Sequence, residues 1–107
     1  MSRFGPRRED TIYELRATFA AIEKLAARGI SVEESEELID NRYVIRRNTG
    51  RRRRSRRKLE TRRIVTGHTN SGRALTLVVE RTKNPTTWLI ITGWPATHVE
   101  RRRIPED

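Results

Sequence analysis

The 107-residue chain contains no cysteine, which rules out disulfides, thiolate metal sites and a cysteine nucleophile. No apolar run approaches the roughly 20 residues that a membrane-spanning helix needs. The start, MSRFGPRRED, lacks the apolar stretch of a signal peptide. These absences predict a soluble protein of the cytoplasm with no membrane partner. There is no Walker loop, no HExxH, no Gly-rich dinucleotide turn and no serine–histidine–aspartate ordering, so no cofactor and no metal is expected. Apolar residues are themselves scarce, at 34% of the chain, with a mean hydropathy of −0.83. They gather in 12–45 and 64–99, which fits one folded domain over 1–107 with a hydrophilic insertion better than general disorder.

Acidic groups are nearly missing from the middle of the chain. Residues 42–73 hold thirteen basic side chains against one acidic one, Glu60, while residues 1–41 carry a net charge of −3 and residues 74–107 of +1. The whole chain is +10 with a pI near 11.4, and such segregation implies a polyanionic partner. The densest stretch is RRNTGRRRRSRRKLETRR, residues 46–63, where eleven of eighteen side chains are Arg or Lys. It reads as a phosphate-binding loop, as a short targeting signal, or as a solvated loop whose cations repel one another. Disorder in isolation and RNA binding are compatible. Residues 48–58 are therefore expected to form a mobile basic loop between strands, and residues 1–9 a flexible N-terminus.

The apolar positions Ile12, Leu15, Phe19, Ile22 and Leu25 step by three and four, which predicts a helix from Asp10 to Arg28 with Asp10 as its N-cap. Gly29 ends it. Ser31 and Glu34 stand in capping-box spacing and start a second, shorter helix. NRYVIRR, ETRRIVTG, ALTLVVER and WLIITGW read as four strands, the last as central because it is the most apolar. Asn70-Ser71-Gly72 suits a hairpin loop between the second and third. PATHVERRRIPED supplies a short last helix between Pro95 and Pro105. The expected fold is α+β: an antiparallel sheet of about four strands, two N-terminal helices and a short C-terminal helix.

Three segments taken together resemble the BrnT family of bacterial toxins: AARGISVEESEELI, TGHTNSGRALTLVVE and WLIITGWPATHVERRR. The shared elements are Gly29-Ile30-Ser31 with Glu33-Glu34, then Gly72-Arg73 before an apolar strand, then Ala96-Thr97 with Glu100-Arg101. They span roughly residues 20–103. Arg28 stands where the family has His, and Thr92-Gly93-Trp94 where it has Ser-Ala-Arg. The resemblance implies a RelE-like fold and ribonuclease activity on cellular RNA, with a possible association with the ribosome. It also implies neutralisation by a small ribbon-helix-helix antitoxin encoded nearby.

Metal-free RNA cleavage needs a base for the 2′-hydroxyl proton, an acid for the leaving oxygen, and cations against the charge at phosphorus. The chain offers two proton carriers near neutral pH, His68 and His98, and Arg73 and Arg101 stand beside them as candidate cations. Arg73 has a structural use as well, an ion pair with Glu80 across the hairpin. Arg51, Arg52, Arg53, Arg54, Arg56, Arg57, Lys58, Arg62 and Arg63 are the candidate phosphate contacts. Trp94 is a candidate for stacking on a base, whereas Trp88 reads as core. Glu33, Glu34, Glu36 and Glu37 diverge around their helix and read as its solvated face. The chain is thus expected to be an RNA-cleaving toxin of a toxin–antitoxin pair. The alternatives are a non-catalytic RNA- or DNA-binding module on the same scaffold, or a basic subunit of a ribonucleoprotein or phage assembly.

Overall fold

A computed structural model describes residues 10–47 and 61–105. The expected flexible N-terminus at 1–9 and basic loop at 48–58 lie outside the described residues, and with them Arg51–Arg54, Arg56, Arg57 and Lys58. The elements run β1 (Glu14–Ala17), α1 (Phe19–Ala27), α2 (Val32–Glu37), a 3-10 turn (Leu38–Asp40), β2 (Tyr43–Arg47), β3 (Arg62–His68), β4 (Ala74–Arg81), β5 (Thr87–Pro95) and α3 (His98–Arg101). The fold is α+β, with one five-stranded sheet in the order β1-β5-β4-β3-β2. The four strands read from the sequence pair antiparallel as expected. The sheet is nonetheless mixed, because β1 adds to β5 in parallel. With β1 outside β5, the middle strand is β4 rather than β5. No helix among the described residues is long and apolar enough to cross a membrane.

β1 corrects the long helix expected from Asp10. Leu15 is buried and Ala17 packs on the core, while Glu14 and Arg16 face outward and pair at 3.1 Å. That is period two, the signature of a strand. Trp88 Nε1 also ties the segment down, donating to the Thr11 carbonyl at 3.0 Å. The real helix begins at Phe19, where Thr18 Oγ1 accepts the Ala21 amide at 3.1 Å. Its buried face is Ala21 and Leu25, four residues apart, not the expected Phe19–Ile22 stripe: Phe19 is 81% exposed. Asp10 is no cap. Its carboxylate instead accepts from Arg63 Nε at 3.1 Å and Arg81 Nη2 at 3.2 Å.

Two local expectations hold as read. Gly29 takes a φ of +73°, which permits the tight passage from α1 to α2. Ser31 and Glu34 form the reciprocal capping box of α2. Both helices pack on one sheet face, and the core lies between, built from Leu25, Ile30 and Leu38 against Val65, Leu75, Leu77, Val79, Trp88 and Ile90.

A β-bulge fixes what the other face carries. Val78 pairs with Thr92 but Val79 with Ile90, so Ile91 is the extra residue of β5. Before the bulge, Trp88 and Ile90 face the helices. After it Gly93 does, and its position would bring a Cβ to 2.7 Å from Leu77 and 2.9 Å from Leu25. Strict alternation would have placed Trp94 on the side of Trp88. The bulge turns it to the opposite face.

Candidate nucleic-acid interface

That second face collects residues from four strands and from α3. By register, Trp94 lies in a row with Thr76, Thr66 and Val44, and Thr92 in a row with Val78, Ile64 and Arg46. His68 and Arg62 belong to the same face, at the two ends of β3. α3 lies across the row of Thr66 and Thr76. It is held there by Glu100.

Glu100 closes a second capping box, with its carboxylate accepting the Thr97 amide at 2.9 Å while Thr97 Oγ1 accepts the Glu100 amide at 3.2 Å. The same oxygen, Oε1, accepts from Thr76 Oγ1 at 2.9 Å and from Trp94 Nε1 at 3.1 Å. Because Thr76 spends its proton on Glu100, it must accept from Thr66, whose hydroxyl lies 2.8 Å away across the fully buried pair. Burial pushes the Glu100 carboxyl up, but the bonds from the Thr97 amide, Thr76 and Trp94 outweigh it, and the group ends below its ordinary value. A carboxylate thus stays charged while largely enclosed on the sheet. Arg46 Nη2 approaches its other oxygen, Oε2, only to 3.9 Å.

Beside this cluster runs an open cleft of about 1020 Å³, lined by Asp40, Asn41, Arg42, His68, Asn70 and Arg101 among others. His68 enters from the end of β3 and Arg101 from the end of α3. The cleft wall is built by Asn41, whose Nδ2 donates at 3.0 Å to the His68 carbonyl, to the Glu37 carbonyl and to Asn70 Oδ1. Glu37 returns the contact by accepting the Asn70 amide at 2.9 Å. The turn 69–73 is closed by the Thr69 amide on the Arg73 carbonyl at 2.8 Å. The imidazole therefore stands at a strand end next to a braced turn, in an open cleft that Arg101 also lines.

The remaining candidates go elsewhere. Arg73 lies away from the cleft, donating to Glu34 at 3.2 Å and to the Gly29 carbonyl at 2.8 Å, and so ties the hairpin to α2. The Ser31 amide bond, helped by Arg73, holds Glu34 below the usual carboxylate range. The expected Arg73–Glu80 pair does not form. The two residues lie seven apart along one strand direction, about 24 Å at about 3.4 Å per residue, and Glu80 instead takes Arg62 from the facing strand at 2.8 Å. Arg63 is 4% exposed and serves the core-side pair with Asp10. His98 is on the exposed side of α3 and is not among the residues lining the cleft. Arg28 donates to Thr92 Oγ1 at 3.0 Å and to the Gly93 carbonyl at 2.7 Å.

Sequence reasoning missed Arg46, Arg42 and the anchoring role of Glu100. For Glu100 a signal existed, since Thr97-His98-Val99-Glu100 repeats the Ser31–Glu34 spacing. Nothing local distinguishes Arg46 from its neighbours. Among the described residues, no group of three or more acidic or histidine side chains is placed to hold a metal ion. Comparison with known proteins finds no family model, curated protein or solved structure that matches the chain.

Proposed function

We propose that the chain acts on RNA, as a metal-independent ribonuclease of the RelE-like kind and the toxin of a bacterial toxin–antitoxin pair. The observation that supports this reading best is the meeting of His68 and Arg101 in one cleft, from positions 33 residues apart. In this reading His68 takes the 2′-hydroxyl proton, the freed oxygen attacks the adjacent phosphorus, and Arg101 offsets the charge that grows there. The P–O5′ bond then breaks and the leaving oxygen takes a proton from water, which gives a 2′,3′-cyclic phosphate and a free 5′-hydroxyl end. The basic residues of 46–58 supply affinity. Cytoplasmic RNA is the substrate, and a ribbon-helix-helix antitoxin encoded beside the gene is the expected partner.

A second reading, a non-catalytic RNA- or DNA-binding module, is favoured by one observation. Among the described residues His68 is the one histidine lining the cleft, so the cleft offers no second imidazole for the leaving oxygen. One experiment separates the two. End-labelled single-stranded RNA is incubated with purified protein and with His68→Gln, and expression is scored for growth arrest with and without the neighbouring small protein. Cleavage that falls about 100-fold or more in His68→Gln, with arrest relieved by the neighbour, supports the ribonuclease. RNA that is bound yet intact after hours, with harmless expression, leaves the module.

A further inference from the structure

Most arginines of the described sheet have an assigned partner. Arg62 takes Glu80, Arg63 and Arg81 take Asp10, and Arg28 takes Thr92 and the Gly93 carbonyl. Arg46 differs. Its Nε is buried with no hydrogen-bond partner, and its nearest carboxylate oxygen stands at 3.9 Å, beyond bonding distance. A buried donor without a protein acceptor is left for a water or an incoming group to satisfy. The side chain is still 27% exposed, so an incoming group can reach its outer edge.

On the same face, Trp94 is half-buried, with its indole edge fixed by Glu100 Nε1–H···O contacts of 3.1 and 3.4 Å. Arg46 from β2 and Trp94 from β5 therefore converge on the carboxylate of Glu100. An oriented aromatic ring and a guanidinium with an unfilled donor, brought to one carboxylate, offer what a nucleotide needs: a face for the base and a fork for the phosphate. Bases of a duplex are stacked and cannot offer that face, so the match is to a single strand.

We propose that Arg46 and Trp94 form a subsite for one unstacked nucleotide of single-stranded RNA, with the phosphate on Arg46 and the base on Trp94. The inference rests on the RNA reading above, and adds the substrate class and two residues beyond the cleft. Glu100 is a positioning residue: it orients Trp94 and, by pairing with Arg46 only loosely at 3.9 Å, leaves the Nε of that guanidinium available. A phosphate drawing the guanidinium outward also gives Nε its missing acceptor.

The test uses the chain's own fluorescence. Of its two tryptophans, Trp88 is 1% exposed, so a change in emission on RNA binding reports Trp94. Dodecauridylate and an RNA duplex of equal length are titrated into the wild-type protein, and fluorescein-labelled dodecauridylate measures affinity for the variants by anisotropy. The single strand should quench emission and the duplex should not. Arg46→Gln should weaken binding about ten- to a hundredfold and flatten the slope of log affinity against log salt by about 0.7. Trp94→Phe, which loses the bond to Glu100 but keeps a stacking face, should bind within a few-fold of wild type. Trp94→Leu should lose tenfold or more. Binding with unchanged emission, and with Arg46→Gln equal to wild type, overturns the subsite and leaves the RNA reading standing. Equal quenching by the duplex overturns the single-strand assignment. No binding of either RNA, together with no cleavage, removes the RNA reading and the subsite with it.

Discussion

Replacing Glu100 tests the claim that one carboxylate fastens α3 to the sheet. Glu100→Ala strips an acceptor from three donors, one at the cap of α3 and one on each of β4 and β5: the Thr97 amide at 2.9 Å, Thr76 Oγ1 at 2.9 Å and Trp94 Nε1 at 3.1 Å. The Thr97 amide sits at an exposed helix end and regains water. Thr76 is fully buried and does not, so its stranded donor costs about 1–3 kcal/mol. Trp94, half-exposed, adds less. The expected loss is about 2–4 kcal/mol, which lowers the Tm of a domain this size by roughly 10–30 °C. The assay is thermal and urea unfolding followed by circular dichroism. A loss below about 0.5 kcal/mol, the range of an ordinary surface change, would refute the latch.

The charge itself is isolated by Glu100→Gln, which keeps an amide oxygen for the donors. Because hydrogen bonds hold the folded carboxyl below its ordinary value, the ionised form is the one folding favours. Its contribution is present in full above the unfolded value and disappears as pH falls through the folded one. The stability difference between wild type and Glu100→Gln should therefore be largest near neutrality and shrink below about pH 4. Other carboxylates, Glu34 among them, titrate in both proteins and cancel. A difference that is the same at neutral and acid pH would show that the charge is irrelevant.

Three further perturbations follow from the contacts. Gly93→Ala drives a Cβ against Leu77, Leu25 and the Thr76 carbonyl at 2.7–3.0 Å and should cost about 1–3 kcal/mol by urea titration; an unchanged midpoint would mean that β5 shifts freely. Asp10→Ala removes the carboxylate that accepts from Arg63, with a side chain 5% exposed, and from Arg81, and should destabilise by about 1–3 kcal/mol, whereas Glu14→Ala at the exposed Arg16 pair should change stability by less than about 1 kcal/mol. Replacing Arg51–Arg54 with Ser should weaken RNA binding and flatten the salt slope by up to about 3 if each contacts a phosphate; an unaltered slope would move the affinity to other cations.

What was legible in the sequence was local. The Ser31–Glu34 box, the stop at Gly29 and the alternation in four strands each depend on residues within one turn or one strand. The error over 10–17 came from apolar residues whose steps of three and four continue by chance from a strand into a helix. Period alone cannot show that Ile12 and Leu15 pack beside Trp88 while Phe19 does not. That distinction belongs to β5, more than seventy residues away. Ile91 is a similar case: one inserted residue reverses the face of Trp94, and no local pattern in WLIITGW marks it.

The arrangement of the candidate site was less legible, for a related reason. Counting arginines gives only the sign of the long-range field, because that depends on net charge. It does not say which guanidiniums are already engaged. Asp10 occupies Arg63 and Arg81, Glu80 occupies Arg62, and Glu34 occupies Arg73, so four of the cations near the motifs hold the fold together. Both capping-box glutamates face an arginine from the sheet side, yet with different results. Glu34 bonds Arg73 and closes the contact, while Glu100 gives its hydrogen bonds to Thr76, Thr97 and Trp94 and pairs with Arg46 only at 3.9 Å. The cations most able to meet a phosphate on this face are therefore decided by which carboxylates are already satisfied. That is a property of the assembled sheet, and it singles out Arg46 from a run of arginines that the sequence presents as equals.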